Sequence, residues 1–424
     1  MNDNIAIPFA KPLYVMLKPA GAHCNLDCKY CYYLEKNNLY NTSQRHLMTD
    51  EMLEQFTLEY IEAQTMNQVL FTWHGGEPLM RSIDFYKKAL ELQKKYAHGK
   101  QIDNVIQTNG TLLTDEWCAF FAQNHFLVGI SIDGPQEYHD HYRQTSAGKP
   151  SWEKVMHGIS LLKKHRVEWN AMAVVNAYNA EHPLEFYHFF RDNGCQYLQF
   201  TPIVERLTEH EDGRTLASLA DVSHEDNYED VGNAKKQKEN QEITIANFSV
   251  TPEQWGKFLC TIFDDWVRHD VGKIFVEIFD CTLANWVGVQ PGICAYSKEC
   301  GHAGVMEHNG DVFSCDHFVF PEYKLGNIQD KSLIDMLYGE KQQAFSRLKH
   351  TSLPRQCKEC DMEFACHGEC PKNRFENDKY GEPGLNYLCK GYYEYYTHVA
   401  PYMDFMKREL QAQRPPANIM NVLK

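Results

Sequence analysis

The sequence has no surplus of positive charge to offer a polyanion: 42 Lys and Arg stand against 57 Asp and Glu, a net charge of −15 at pH 7. Phosphate binding rests on a basic surface, so nucleic acid is excluded as the main partner. Nowhere do about 18 apolar residues run together, which excludes a membrane-spanning helix and a membrane partner. Met1 to Tyr14 lacks the apolar core behind basic residues that a secretion signal needs, so a cytoplasmic protein is expected. In that reducing compartment disulfides are not the use for the fifteen cysteines. Clustered as they are, they point to metal or redox centres. No internal repeat of fixed period is present.

The chain of 424 residues has room for one large α/β domain and a smaller one. Strand-like runs at Leu13 to Leu17, Gln68 to Trp73, Asp103 to Gln107, Leu127 to Ile132, Trp169 to Val175 and Tyr197 to Phe200 alternate with helical patterns. The helices fall at Asp50 to Ala63, Ser82 to Tyr96, Thr114 to Asn124, Trp152 to His165 and Pro183 to Asp192, with Thr49 as an N-cap for the first. Six strands alternating with helices demand right-handed crossovers and a parallel sheet. Pattern alone does not decide between an open sheet and a barrel. From Glu205 to Asn240 large apolar residues are scarce, and a solvated insertion is expected. Thr251-Pro252-Glu253 then opens an amphipathic helix to about Arg268, and after Trp286 the alternation gives way to Cys and Gly.

Just after the first strand lies Cys24-Asn25-Leu26-Asp27-Cys28-Lys29-Tyr30-Cys31, a C-x3-C-x2-C run with an aromatic residue before its last cysteine. A closed structural zinc site wants four protein ligands, whereas three leave a position open for substrate or cofactor. The soft ligands suit zinc, completed by a neighbour such as His23, or an iron–sulfur cluster. The spacing resembles the signature of the radical S-adenosylmethionine (SAM) enzymes. That resemblance implies a [4Fe-4S] cluster on Cys24, Cys28 and Cys31 whose fourth iron binds SAM, and a partial (β/α)6 TIM-like barrel for the α/β core.

Further residues at the C-terminal ends of the strands, where α/β proteins place ligands, fit that resemblance. His74-Gly75-Gly76-Glu77-Pro78 resembles the GGEP motif, whose backbone at Gly75 and Gly76 would hold the amino group of SAM. By the same resemblance Ser131 and Arg143 contact the ribose and carboxylate of SAM, Tyr30 packs near the adenine and Val204 lines the adenosine pocket. Gln107-Thr108-Asn109-Gly110 sits at the same rim and reads as a turn.

A second cysteine field runs Cys294-x5-Cys300-x14-Cys315, then Cys357-x2-Cys360-x5-Cys366-x3-Cys370 and Cys389. Eight thiols make two sets of four, enough for two Cys-ligated [4Fe-4S] clusters or a double zinc module. The arrangement resembles the SPASM extension of radical SAM enzymes. There the first auxiliary cluster takes Cys294, Cys300, Cys315 and Cys370, and the second takes Cys357, Cys360, Cys366 and Cys389. Cys118, Cys195, Cys260 and Cys281 match no motif and read as apolar fillers. The expected organisation is a radical SAM core over 1–245 carrying the 205–240 insertion, a connecting helix and strand segment over 246–290, the SPASM domain over 291–390, and a C-terminal helix and tail over 391–424.

The stretches Phe71 to Pro78, Val312 to Phe318 and Lys324 to Ile328 look like those of the anaerobic sulfatase-maturating enzymes. That resemblance implies oxidation of the active-site Ser or Cys of a sulfatase to 3-oxoalanine (formylglycine). SAM cleavage yields a 5′-deoxyadenosyl radical that takes hydrogen from the substrate Cβ. The implied partners are an unfolded or nascent sulfatase polypeptide and an external one-electron donor such as flavodoxin or ferredoxin. The hydroxyl proton must go to a base, and the subfamily's catalytic Asp falls on Asp316, directly after Cys315. His317 is the competing base, pointing elsewhere if the segment is a strand. Two other functions fit the cysteines: a SPASM-type ribosomal-peptide maturase forming a thioether or carbon–carbon crosslink, and a non-enzymatic iron–sulfur electron carrier.

Overall fold

The computed structural model describes residues 12–33, 36, 39–40, 47–208, 215–216 and 244–423. Most of the N-terminal stretch read for a secretion signal and most of the 205–240 segment lie outside the described residues. The core is a run of parallel strands with helical crossovers: β1 (Tyr14–Lys18), α1 (Asp50–Ala63), β2 (Gln68–Trp73), α2 (Ile83–Tyr96), β3 (Gln101–Thr108) and α3 (Asp115–Gln123). It continues through β4 (Leu127–Ser131), α4 (Gln136–Tyr142), α5 (Trp152–His165), β5 (Glu168–Val175), α6 (Pro183–Asp192) and β6 (Tyr197–Pro202).

Along β3 and β5 buried residues alternate with half-buried ones, so one face of the sheet packs under the helices: Ile106, Val128, Ile130, Ala171 and Ala173 have no exposed surface. Helix starts follow the local chemistry. Thr49 accepts from the Met52 N–H at 3.2 Å at the head of α1, and Thr114 does the same from Trp117 at the head of α3.

Beyond β6, three short strands form a separate antiparallel sheet: β7 (Arg206–Thr208) lies between β8 (Thr215–Leu216) and β9 (Thr244–Ile245). The insertion expected from Glu205 therefore starts later, because Glu205 and Arg206 are buried at its root. α7 (Pro252–His269) opens on a capping box between Thr251 and Gln254. β10 (Phe275–Val276) and α8 (Glu277–Val287) follow.

After Trp286 the strand–helix alternation ends, yet the sheet does not. β11 (Ala303–Glu307) lies parallel to β1, pairing Tyr14 with Ala303 through Lys18 with Glu307. β12 (Asp311–Phe313) and β13 (Lys324–Asn327) then add antiparallel strands. Among the described residues the order is β10-β6-β5-β4-β3-β2-β1-β11-β12-β13, ten strands in one sheet. The auxiliary region thus continues the edge of the barrel. A long helix, Cys389–Gln411, starts at the last motif cysteine and packs against α7.

Candidate active site

The cysteine loop leaves the C-terminal end of β1 and rests on the glycine pair that follows β2. Gly76 N–H donates to the Gly21 carbonyl at 2.8 Å and Glu77 N–H to that of His23 at 2.8 Å. A Cβ on Gly76 would lie 2.3 Å from the His23 oxygen and 2.5 Å from that of Ala22, so only glycine lets the two loops approach this closely. Asn109 caps the loop from β3, donating to Asn25 Oδ1 at 2.9 Å and lying 3.7 Å from Cys24 Sγ. Its own N–H donates to Glu77 at 2.8 Å. The Gln107–Gly110 segment, read from the sequence as a turn, is therefore part of the rim.

Burial pushes the Cys24 and Cys28 thiols up to about 12; Glu77 adds to the shift at Cys24, and Arg143 opposes it at Cys28. The trio members also raise one another, which places all three within mutual electrostatic reach. Such thiols stay protonated at neutral pH until a metal displaces the protons, which is the chemistry of a metal-ligand set. Among the described residues no three His, Cys, Asp or Glu side chains converge tightly enough for a single ion. A thiolate trio of this kind suits a cluster, whose ligands bind separate irons.

Around this loop the strand ends assemble a charged pocket wall. Asp133, fully buried after β4, accepts from Arg143 Nε at 2.9 Å, from Val174 N–H at 2.9 Å and from the Tyr30 hydroxyl. The Arg143 guanidinium lies over the Tyr30 ring, 5.5 Å from its centre. Arg143 reaches this place from the end of α4, a short helix that carries no apolar periodicity to announce it. Ser131 accepts from Gln107 Nε2 at 2.9 Å. Val204 is buried beyond β6, with its carbonyl facing Lys372 Nζ at 3.3 Å. Tyr30, Gly75, Gly76, Ser131, Arg143 and Val204 thus all flank one rim. Asp133 escaped sequence reasoning, because nothing in the sequence pairs it with Tyr30 and Arg143.

Asp316 occupies the junction between this rim and the second cysteine field. Its Oδ1 lies 2.6 Å from Lys18 Nζ and its Oδ2 accepts from the Tyr32 hydroxyl at 2.5 Å. Lys18 is itself fully buried, donating to His74 Nδ1 at 3.1 Å and lying 3.9 Å from the centre of the Tyr33 ring. Burial alone would raise the Asp316 carboxyl, but Lys18, with His74 and His317, holds it well below the usual carboxylate range. Its side chain keeps 13% exposure, an opening through which another molecule can reach it. Residues 316–318 form a single 3-10 turn rather than the strand considered from sequence. His317 nevertheless diverges from Asp316: its Nδ1 lies 3.7 Å from Cys370 Sγ and its ring meets Tyr32 edge-on. Burial and Lys372 push His317 down to about 4, so it is neutral. Lys18 and Tyr32 escaped sequence reasoning because a buried lysine at a strand end and a tyrosine beside a cysteine carry no spacing signal.

The eight remaining motif cysteines gather in two places. Cys315 lies within electrostatic reach of Cys294, Cys300 and Cys370, whereas Cys366 lies within reach of Cys357 and Cys389, and Cys389 within reach of Cys357 and Cys360. Burial pushes Cys300 to about 11 and Cys389 to about 12, the same protonated resting state as in the first trio. A cavity of about 640 Å³ is lined by Cys357, Cys360, Cys366 and Cys389 together, room enough for a cluster. Of the unassigned cysteines, Cys118, Cys195 and Cys281 are buried in the core and Cys260 packs against it.

The model of the radical SAM superfamily matches residues 19–190, and that of SPASM, an iron-sulfur cluster-binding domain, matches residues 299–361. Over its whole length the chain is 66% identical to the serine-type anaerobic sulfatase-maturating enzyme of Bacteroides thetaiotaomicron, covering 98% of that relative. The chain belongs to the anaerobic sulfatase-maturating enzymes. The cysteine-type anaerobic sulfatase-maturating enzyme of Clostridium perfringens is 30% identical over 92% of this chain and 97% of its own. The solved structure of native anSMEcpe with bound AdoMet superposes with a TM-score of 0.79 at 29% identity, covering 94% of this chain and 100% of that one. As an anaerobic sulfatase-maturating enzyme, this protein is a radical SAM enzyme that uses SAM and a [4Fe-4S] cluster, and its SPASM domain binds auxiliary clusters. The donor chemistry of its three thiol groups fits them.

Proposed function

We propose that this sulfatase-maturating enzyme oxidises the active-site Ser or Cys of an unfolded or nascent sulfatase to 3-oxoalanine, with Ser as its natural target. The ionised carboxylate of Asp316, held by Lys18 and Tyr32 between the barrel rim and Cys315, carries the reading. The preference for Ser follows the likeness to a serine-type relative at 66% identity, against 30% for a cysteine-type one.

On this reading Cys24, Cys28 and Cys31 hold the SAM-cleaving cluster. Cys294, Cys300, Cys315 and Cys370 hold the first auxiliary cluster, and Cys357, Cys360, Cys366 and Cys389 the second. Tyr30, Gly75, Gly76, Ser131, Arg143 and Val204 bind SAM. When bound, SAM and its cluster supply the abstraction of hydrogen from the substrate Cβ. The protein's own part is the proton. An intact alcohol is too weak an acid for a carboxylate held as low as Asp316. Once the Cβ hydrogen is gone, the hydroxyl on that carbon is far more acidic, and Asp316 accepts its proton. Lys18 keeps the carboxylate ionised, so the acceptor is ready at each turnover. Because Asp316 follows Cys315 directly, the proton leaves beside the first auxiliary site, to whose cluster the electron that remains on the substrate would pass.

An external one-electron donor of the flavodoxin or ferredoxin kind and a cytoplasmic location complete the proposal. Among the described residues no helix is long and apolar enough to cross a membrane. The test is to incubate the reconstituted, reduced enzyme with SAM and sulfatase-motif peptides bearing Ser or Cys at the target position, and to read the mass change. Loss of two hydrogens from Ser, or conversion of Cys to the same aldehyde, supports the reading. A crosslinked product would move the enzyme to the peptide maturases.

A further inference from the structure

Cys366 and Cys370 belong to different quartets, so the three residues between them tie one auxiliary site to the other. His367, Gly368 and Glu369 all take left-handed backbone angles, with φ of 48°, 66° and 53°. L-residues visit that region singly and rarely in succession. Arg374 holds the segment in place. Its Nε donates to the Gly368 carbonyl at 2.8 Å, and its Nη2 to those of His367 at 2.8 Å and Glu369 at 2.9 Å. Nη1 donates to the Lys349 carbonyl at 2.5 Å. A Cβ on Gly368 would come within 2.3 Å of Leu353 Cδ2 and 2.7 Å of Nη2, so a larger residue would displace one of these side chains.

Lys349 makes a matching contact on the first quartet. Fully buried, its ammonium donates to the carbonyls of Cys294, Ala295 and Ser297, the turn that presents Cys294. The thiols of Cys294, Cys300 and Cys370 lie within electrostatic reach of Lys349, and those of Cys357, Cys366 and Cys370 within reach of Arg374. Glu369, also buried, is the nearby carboxyl group that both cations sense. Two cations are therefore fixed by backbone carbonyls against the thiols.

We infer that Arg374 and Lys349 are positioning residues of the auxiliary centres: Arg374 sets the separation of the two clusters and shares its charge between them, and Lys349 acts on the first. The inference rests on the assignment of the two quartets as cluster sites. Adding an electron makes a thiolate-ligated cluster more negative, so a fixed cation favours the reduced form and raises the midpoint potential.

The experiment uses the full chain with Cys24, Cys28 and Cys31 changed to Ala, so that only the auxiliary clusters report. Iron content, a redox titration followed by electron paramagnetic resonance, and the spin–spin splitting of the doubly reduced state are measured. Lys349→Met shifts the first cluster's midpoint to more negative potential and leaves the second in place, and Lys349→Arg restores it. Arg374→Gln moves both midpoints the same way. Arg374→Lys keeps the charge but loses the fork, and alters the splitting, which reports the distance between clusters. Unchanged midpoints in Lys349→Met overturn the charge role, even where an Arg374 variant fails to fold. Wild-type splitting in Arg374→Lys overturns the spacing role. Fewer than about eight irons in the parent, before any variant is made, would instead sink the quartet assignment itself.

Discussion

Lys18 and Asp316 meet at 2.6 Å although one closes the first barrel strand and the other follows a cysteine of the auxiliary region. The pair joins the two parts of the enzyme at the place where the substrate's proton is to be received. Asp316→Asn is expected to keep iron content and SAM cleavage while lowering aldehyde formation by roughly 100-fold or more, the scale of a lost general base. The loss is larger for Ser than for Cys, whose thiol ionises more easily. Product analysis by mass spectrometry beside a 5′-deoxyadenosine assay checks both halves. Lys18→Met leaves a buried carboxylate uncompensated and lowers stability by about 3–5 kcal/mol, read from urea unfolding.

Three clusters imply about twelve irons per chain. Replacing Cys24, Cys28 and Cys31 together by Ala should remove about a third of the iron and all 5′-deoxyadenosine formation. Chelating iron from the wild type should also lower its melting temperature, because ligand binding at the auxiliary sites is coupled to their fold. Iron near zero with stoichiometric zinc in anaerobically prepared protein would contradict this.

Gly76→Ala places a methyl group 2.3 Å from the His23 oxygen, against backbone that cannot swing aside as a side chain would. The cysteine loop is expected to shift, so that iron at the SAM-cleaving site and 5′-deoxyadenosine formation both fall while auxiliary iron persists. Wild-type iron and turnover in this variant would show that the two loops separate more easily than their packing indicates.

His139 offers a pH signature from behind the Asp133–Arg143 pair of the rim. It has no exposed surface; its Nδ1 accepts from the Asp133 N–H at 3.2 Å, so its Nε2 donates to Ser151 Oγ, 2.9 Å away. Burial pushes it down to about 4, with Arg143 adding to this and Asp133 opposing. Below about 6.5 the unfolded chain takes up a proton that the folded one refuses. The contribution of this group is therefore complete above that pH and is lost as pH falls toward 4, on the order of 3 kcal/mol in all. His139→Gln should flatten the acid side of a stability–pH profile measured by denaturant unfolding, even though the variant starts from a lower plateau.

The barrel was legible because its strands bury one face under helices that are themselves amphipathic: β2, α1, α5 and α6 lie where periodicity put them. The strands β10 to β13 were not legible. β10 is two residues long, and β11 to β13 lie among glycines and cysteines whose spacing answers to metal ligation rather than to an alternating face. The site divides the same way. Cysteines and glycines announce themselves through spacing and backbone need, whereas Lys18, Tyr32 and Asp133 act through partners far along the chain. Arg143 arrives on α4, whose seven residues Gln136–Tyr142 are too polar and too few to show a helical period.

The pairing of β1 with β11 bears on how the enzyme is made. β1 shares five paired positions with β11 but only two with β2, so the firmer of its two edges waits for a strand nearly three hundred residues downstream. At synthesis rates of about 5–20 residues per second, that edge stays open for something like 15–60 seconds. A nascent chain in this state presents unpaired strand backbone to its neighbours, and a fragment cut before Ala303 keeps it exposed permanently. Expression of the barrel alone is thus expected to give aggregates, and the C-terminal half serves the N-terminal half as the last piece of its own sheet.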